Sequence, residues 1–600
     1  MPNPDALWSA AQAAAAGRDF AELHAAHGGV LWVEFEPASG RCSLQLLRDD
    51  QRRELTPPGY SVRSRVYEYG GGASCATERG AAFVNDADQQ IHLIDDVAAR
   101  AAPRRLTERT DCRYGDLVYA PAWRALLAVE ECREGEAVVH RLVRIDLAGR
   151  REVLAEGADF YAAPVASVDG RRLAWIEWSR PQQPWTATRL CLRETDSSCR
   201  VLAGAADDQA LQQPRFDARG RLWVLSDRDG WWQPMCIDDA DALYGAPRDH
   251  AAAPWQLGGR TYLPLDGELL LTRFELGFGV LAAVREAAGE RRLAEGFTRF
   301  RALAADAGHY YCIASAPDRL SAVLAIGRTD GAVSVLAGGE RLLNEAHLPR
   351  PQPLDCPVGE GERCHGFFYA PHAGAERPPL VVFLHGGPTS ACYPVFDPRI
   401  PFWTLRGFAV LDLNYRGSSG FGRAYRQRLQ GEWGRIELED IRAAVAHLAQ
   451  AGRIDPARVF VRGASAGGYS ALLALAQDGY AGGASLYGVS DPLALRRLTH
   501  KFEADYLDWL LGDPQQHAER YRQRTPLQQA GRIRVPVIFF QGGRDAVVVP
   551  QQTESMVAAL RDNGIAVEYR LFPDEGHGFR LAAHQAEALE AEHAFYRDLS

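Results

Sequence analysis

Val459-Phe460-Val461-Arg462-Gly463-Ala464-Ser465-Ala466-Gly467 is the stretch on which the reading of this chain turns. Its first half is an apolar run of strand length, and its second half is G-x-S-x-G. A strand that ends in this pattern and passes into a helix makes a turn tight enough to strain the serine. Side chains larger than glycine at either end would clash with the neighbouring strand or helix. The turn lifts the Ser465 hydroxyl clear of the sheet, where a base and a carbonyl can both reach it. Tyr469-Ser470-Ala471-Leu472-Leu473-Ala474-Leu475 supplies the helix. The pattern alone recurs by chance, so the downstream residues decide.

A serine hydroxyl is a weak nucleophile until a base takes its proton, and the base needs a carboxylate to orient it. Val535-Pro536-Val537-Ile538-Phe539-Phe540 reads as a strand, followed by a loop that carries Asp545. The alternating run Val567-Glu568-Tyr569-Arg570-Leu571-Phe572 reads as another strand, followed by His577 between Gly576 and Gly578. Any one of sixteen histidines is an ordinary surface or core residue, and a lone loop aspartate is usually a turn former. Three such residues in the order Ser, Asp, His, each just past a strand, leave the same edge of a parallel sheet. The fold class this implies for the C-terminal part is an α/β-hydrolase with a doubly wound sheet. Asp574 and Glu575 lie too near His577 in sequence to orient its ring and are expected to shape the loop. Backbone N–H groups of Ala466 and of Gly387, in the loop His385-Gly386-Gly387-Pro388, are the expected oxyanion donors.

Six hundred residues exceed one compact domain, and a chain 46% hydrophobic and 24% charged has the make-up of a soluble globular protein. A net charge of −10 without a basic stretch argues against a nucleic-acid partner. Lysine occurs once, at Lys501, which argues against Schiff-base chemistry. Eleven cysteines without paired spacing suggest reduced thiols, with neither a disulfide framework nor a zinc site. No metal or organic cofactor is expected. The first twenty residues do not resemble a signal peptide, and no apolar run is long enough to span a bilayer, so a cytoplasmic location without a membrane partner is expected.

From about residue 26 to 345, short alternating segments such as Gly29-Val30-Leu31-Trp32-Val33-Glu34-Phe35 are separated by turn clusters such as Asp227-Arg228-Asp229-Gly230. That pattern is all-β. At about 40 to 50 residues per repeat, the region would hold about seven blades of a β-propeller. The proline-rich stretch from Pro349 to Pro357 reads as an extended connector, and strands alternate with helices after it. The expected division is a short helical segment at 1–25, a propeller at 26–348 and a hydrolase domain at 349–600.

With these residues in hand, the chain resembles the prolyl oligopeptidase family of serine peptidases, in its acylaminoacyl-peptidase and aminopeptidase-like branch. In the hydrolase part the resemblance rests on His385-Gly386-Gly387-Pro388, Asn414-Tyr415-Arg416-Gly417-Ser418, Gly420-Phe421-Gly422, Ser465, Thr499-His500-Lys501-Phe502-Glu503, Asp545 to Pro550 and Glu575 to Arg580. In the N-terminal part it rests on Ser64 to Gly72, Pro184-Trp185 and Ser226 to Trp232. The resemblance implies a seven-bladed propeller over the active site and hydrolysis of short peptides. It also implies Ser465 as nucleophile, Asp545 as orienter, His577 as base, and oxyanion donors near Gly387 and Ala466. One departure matters: an arginine that grips substrate two residues after the aspartate in many members is Val547 here.

A substrate that ends soon after its acyl residue would not need that arginine, which points to an aminopeptidase. Such an enzyme should offer carboxylates to the substrate ammonium, since a buried cation needs pairing. Glu68, Glu130, Glu131 and Glu503 are the candidates, with Phe502 and Tyr487 as candidate walls of the acyl-side pocket. The partner is then a short peptide or aminoacyl amide. Acylaminoacyl-peptidase, dipeptidyl-peptidase, small-molecule amidase or esterase, and non-catalytic scaffold remain open, as does a homo-oligomeric state.

Overall fold

Period-two runs punctuated by turns fold the first part of the chain into strands. The computed structural model describes residues 8–99, 101–195, 197–239, 247–285, 289–359, 361–373 and 375–599. Between Asp19 and Gly338 the strands form seven antiparallel sheets in chain order, six of four strands and one of three. These are the blades of a seven-bladed propeller. First strands of the blades line one central channel, to which Glu22, Asp116, Ala163, Gln213 and Ala302 each contribute from a different blade. Each of these residues has a left-handed φ between 51° and 58°. Each also sits at a register shift against the second strand of its blade. Bulges of this kind bend the strand and raise its twist, and the same device recurs around the axis.

The N-terminal segment departs from expectation. A helix spans Ala10–Ala15, capped by a reciprocal Ser9–Gln12 box, and the strand Asp19–Ala26 already belongs to the first blade. Helix before Trp8 was also expected, but residues 1–7 lie outside the described residues. The strand begins early because Phe20 and Leu23 bury against Ile313 and Val323 of the seventh blade. Arg301 seals the same seam, donating to Phe20 O at 2.6 Å.

A second departure concerns the cysteines. Cys112 and Cys132 form a disulfide, because they are direct cross-strand partners in the third blade. Nothing in their spacing announced that register.

The expected connector is partly a strand. Gln352–Val358 pairs with Glu362–Tyr369 at the edge of an eight-stranded sheet. Pro353 and Pro357 are tolerated there because an edge strand can spare N–H groups. Leu354, Cys356 and Val358 are its buried residues. The sheet continues in the order Ala409–Asn414, Leu380–Leu384, Val459–Ala464, Gly482–Leu486, Val537–Gly542 and Val567–Phe572, and these six strands are parallel. This is the α/β-hydrolase sheet. No helix among the described residues is long and apolar enough to cross a membrane.

Propeller and hydrolase are joined by a buried clasp. Asp227, on the motif before Trp231-Trp232, accepts from the Ala210 N–H at 2.7 Å and from Arg423 at 2.7 Å. Its second guanidinium partner is Arg426, which is fully buried and lies 3.8 Å over the Trp232 ring. Asp249 accepts from the N–H groups of Trp232 and Gly422. Asp227→Ala leaves Arg426 buried beside a lost charge, which should cost about 3–5 kcal/mol. Urea unfolding measures this, and a change below about 1 kcal/mol would mean that the clasp relaxes freely.

Inside the hydrolase part, Glu437 ties its helix to the helix after Ser465, accepting from Gly434 N–H and the Ser470 hydroxyl. Burial pushes its carboxyl from the ordinary 4.5 up to about 7. The unfolded chain gives up that proton near 4.5, so the folded state holds more protons in between. Stability from this group is therefore present at acid pH and falls as pH rises through about 7. Glu437→Gln should gain roughly 2–3 kcal/mol on wild type between about pH 5 and pH 8. Parallel pH profiles of unfolding for the two proteins would refute this.

Candidate active site

The site is built first from backbone. Ser465 adopts φ 55° and ψ −121°, a conformation that costs a non-glycine residue on the order of 1–3 kcal/mol. Its N–H donates to Leu486 O at 3.0 Å and its C=O accepts from Tyr469 N–H at 3.1 Å, which hold the turn. A methyl group on Gly463 would stand 2.2 Å from the Gly467 carbonyl carbon, and one on Gly467 would stand 2.2 Å from Leu384 O. Only glycine fits at either end.

Around the turn stand the two downstream residues. His577 Nε2 lies 2.9 Å from Ser465 Oγ, and His577 Nδ1 lies 2.8 Å from Asp545 Oδ2. Asp545 is buried, and its Oδ1 accepts from the N–H groups of Val547 and Val548, both at 2.9 Å. This geometry suits the tautomer with its proton on Nδ1, which donates to the carboxylate and leaves the Nε2 lone pair facing the serine hydroxyl. Glu575 accepts from the backbone of Arg580 and Leu581 and faces His584, bracing the loop that carries His577. Asp574 pairs with Arg544.

The loop after Leu384 passes against the serine, close enough that a methyl on Gly386 would lie 3.6 Å from Ser465 Cβ. His385 pegs this loop, meeting Gly386 O at 2.8 Å and Ser418 Oγ at 2.7 Å. Burial pushes its pKa down to about 4, so it is neutral and structural. Gly387 and Ala466 both line the pocket beside Ser465.

That pocket is apolar, walled by Trp433, Val489, Leu495, Leu507, Leu510 and Val547. Among the described residues, Glu503 is the one charged residue lining it. The Tyr69 hydroxyl donates to this carboxylate from the propeller side. Tyr69 is delivered by the glycine run that follows it: Gly71 pairs with Leu257 across the propeller face, and Gly70 O accepts from Leu257 N–H at 2.8 Å. A side chain on Gly71 would strike Leu257 O at 2.3 Å.

Other candidates are placed elsewhere. Glu130 is fully buried and bound by Arg151 within its own blade, because a carboxylate out of water demands a counter-charge. Glu68 pairs with Arg113, and Glu131 is held by Tyr67 N–H and His140. None of these three lines the pocket beside Ser465. Phe502 stacks on Tyr67 at 5.3 Å in an aromatic cluster between the domains. Tyr487 meets the His577 ring edge-on at 4.9 Å and lines a different cavity. The apolar walls Val489, Leu495, Leu507 and Leu510 carry no local sequence signal, and the contact of Tyr69 with Glu503 follows only from how the domains dock.

Comparison with known proteins agrees with this architecture. Residues 394–600 match the model of the prolyl oligopeptidase family. A puromycin-hydrolyzing peptidase from Mycobacterium tuberculosis is 33% identical, with 98% of this chain and 96% of that one covered and a TM-score of 0.93. A puromycin hydrolase structure is 32% identical with a TM-score of 0.94, over 98% of this chain and 96% of that one. Dipeptidyl aminopeptidase BIII of Pseudoxanthomonas mexicana is 34% identical over 213 residues, 34% of this chain and 31% of that one. The chain thus aligns with about a third of the length of the curated relatives it matches, 34% and 31% for the first two. Its likeness to the first of these structures runs from end to end, and on that ground the chain belongs to the prolyl oligopeptidase family.

Proposed function

We propose that the chain is a serine exopeptidase that releases N-terminal residues from short peptides. The observation that carries this reading is the single carboxylate, Glu503, in an otherwise uncharged pocket beside Ser465. An apolar acyl residue fits such walls, and its free ammonium would pair with Glu503. Val547 offers no guanidinium to hold a longer acyl-side chain, which separates this site from one that grips extended substrate.

In the proposed sequence, His577 takes the Ser465 proton as Oγ attacks the carbonyl of the first residue. The N–H groups of Gly387 and Ala466 hold the oxyanion, a contribution typically worth about 100- to 1000-fold per donor. His577 then gives the proton to the leaving amine, and water releases the acyl-enzyme by the reverse roles, with Asp545 keeping the ring in its tautomer. The likeness to two puromycin-hydrolysing structures favours a second substrate class for the same chemistry, small-molecule aminoacyl amides.

Ser465→Ala should abolish hydrolysis of an aminoacyl anilide and labelling by a fluorophosphonate while the fold survives; retained turnover would sink the assignment. Glu503→Gln should lower kcat/KM on free-amine anilides about ten- to a hundredfold, the scale of a charge-assisted contact, and shrink the preference over N-acetylated analogues. An unchanged preference would remove Glu503 from substrate recognition and favour an acylaminoacyl-peptidase.

A further inference from the structure

A second cavity, of about 440 Å³, shares no lining residue with the acyl pocket and reaches the reaction centre through Tyr487. Its walls nearest the reaction centre are Tyr487, which abuts His577, and Phe579, 5.2 Å from the Tyr487 ring. The far side is formed by the seventh blade and by the helix Ala10–Ala15. Five guanidiniums line it. Arg18 pairs with Glu34 and Glu340, Arg301 with Asp19, Arg399 with Asp397 and Arg462 with Glu592. Those pairings also occupy the three carboxylates on the cavity wall, Asp19, Asp397 and Glu592.

Arg299 differs from the other four. Among the described residues its guanidinium meets neither an ion-pair nor a hydrogen-bond partner. Its guanidinium carbon sits 3.9 Å from the centre of the Tyr393 ring, so one face is stacked while its N–H edges stay unused. Desolvation pulls its pKa down, against the smaller opposing pulls of Tyr393 and of Asp19, the carboxylate already paired with Arg301. The cavity therefore carries one unneutralised positive charge, presented as a planar fork that suits a carboxylate.

We propose that this cavity receives the leaving-group end of a short peptide and that Arg299 pairs with its C-terminal carboxylate. The inference rests on the reading of Ser465 and His577 given above. His577 must hand its proton to the leaving amine, so the chain beyond the scissile bond departs on the imidazole flank, past Tyr487. The acyl residue lies in the other pocket, among Ala466, Val547 and Glu503. A peptide short enough to span both would have its ammonium and carboxylate each met by one opposite charge. Arg299 is thus a specificity-determining residue, and a blocked or internal C-terminus forfeits its contact.

The test is a series of di-, tri- and tetrapeptides with the same N-terminal residue, each as free acid and as C-terminal amide, alongside an aminoacyl anilide. Wild-type enzyme should favour the acid over the amide by about tenfold or more in kcat/KM at one length of the series. Arg299→Met should bring that ratio close to one, mainly through KM, and Arg299→Lys should restore part of it. Acids and amides cleaved equally well at every length by wild type would overturn the proposal, whether or not the variant folds. So would a variant that slows both alike and keeps the ratio, since that marks a structural role. Failure of wild type to turn over the anilide would instead count against the Ser465 reading.

Discussion

A carboxylate shut away from water between two guanidiniums is what the enclosure of the site depends on. Asp227 brings the fifth blade to Arg423 and Arg426 of the hydrolase part, and Asp249 secures the backbone of Trp232 and Gly422 beside it. Buried pairs of this kind add little net stability, but they tolerate almost no displacement, because a slipped partner leaves a naked charge in a low dielectric. The clasp therefore fixes one blade on the hydrolase surface, and closure of the ring carries that registration to the others. Nearer Glu503 the docking is completed by Arg180 on Asp505, Lys501 on Asp159 and Gln183 on Phe502 O, where Tyr69 reaches the carboxylate.

The charge pattern around the serine follows from the same docking. Beside Ser465, apolar walls surround a single carboxylate; behind Tyr487, a cavity of paired charges leaves one guanidinium over. Neither side uses a mobile group to make its charge: Glu503 is tied by a propeller hydroxyl and Arg299 is laid flat on Tyr393. Preorganisation of this kind spares a substrate the cost of ordering the site.

How much of this could be read before folding depends on how local each cause is. The approach of Ser465, Asp545 and His577 has local causes, since each follows a recognisable strand and parallel strands bring their ends to one edge. Gly463 and Gly467 are likewise explained by neighbours within one strand–turn–helix unit. Glu503 could be named among candidates from charge alone, but not separated from Glu68, Glu130 and Glu131, whose fates are set by Arg113, Arg151 and His140 of the propeller. The Cys112–Cys132 bond hides for the same reason: twenty residues of spacing say nothing until the register puts the two opposite each other. Arg299 is invisible in sequence, one arginine among many, because what distinguishes it is that its guanidinium has no partner among the described residues.

The glycine run after Tyr69 has one more effect. Residues 256–259, to which Gly70 and Gly71 are bonded, form a wall shared by two hollows, the propeller's axial channel and the space beside Phe502. Main chain hydrogen-bonded to main chain thus stands as a bulkhead at the end of the bore. A polypeptide threading down the axis would have to unpick that bridge to pass from the channel into the space beside Phe502.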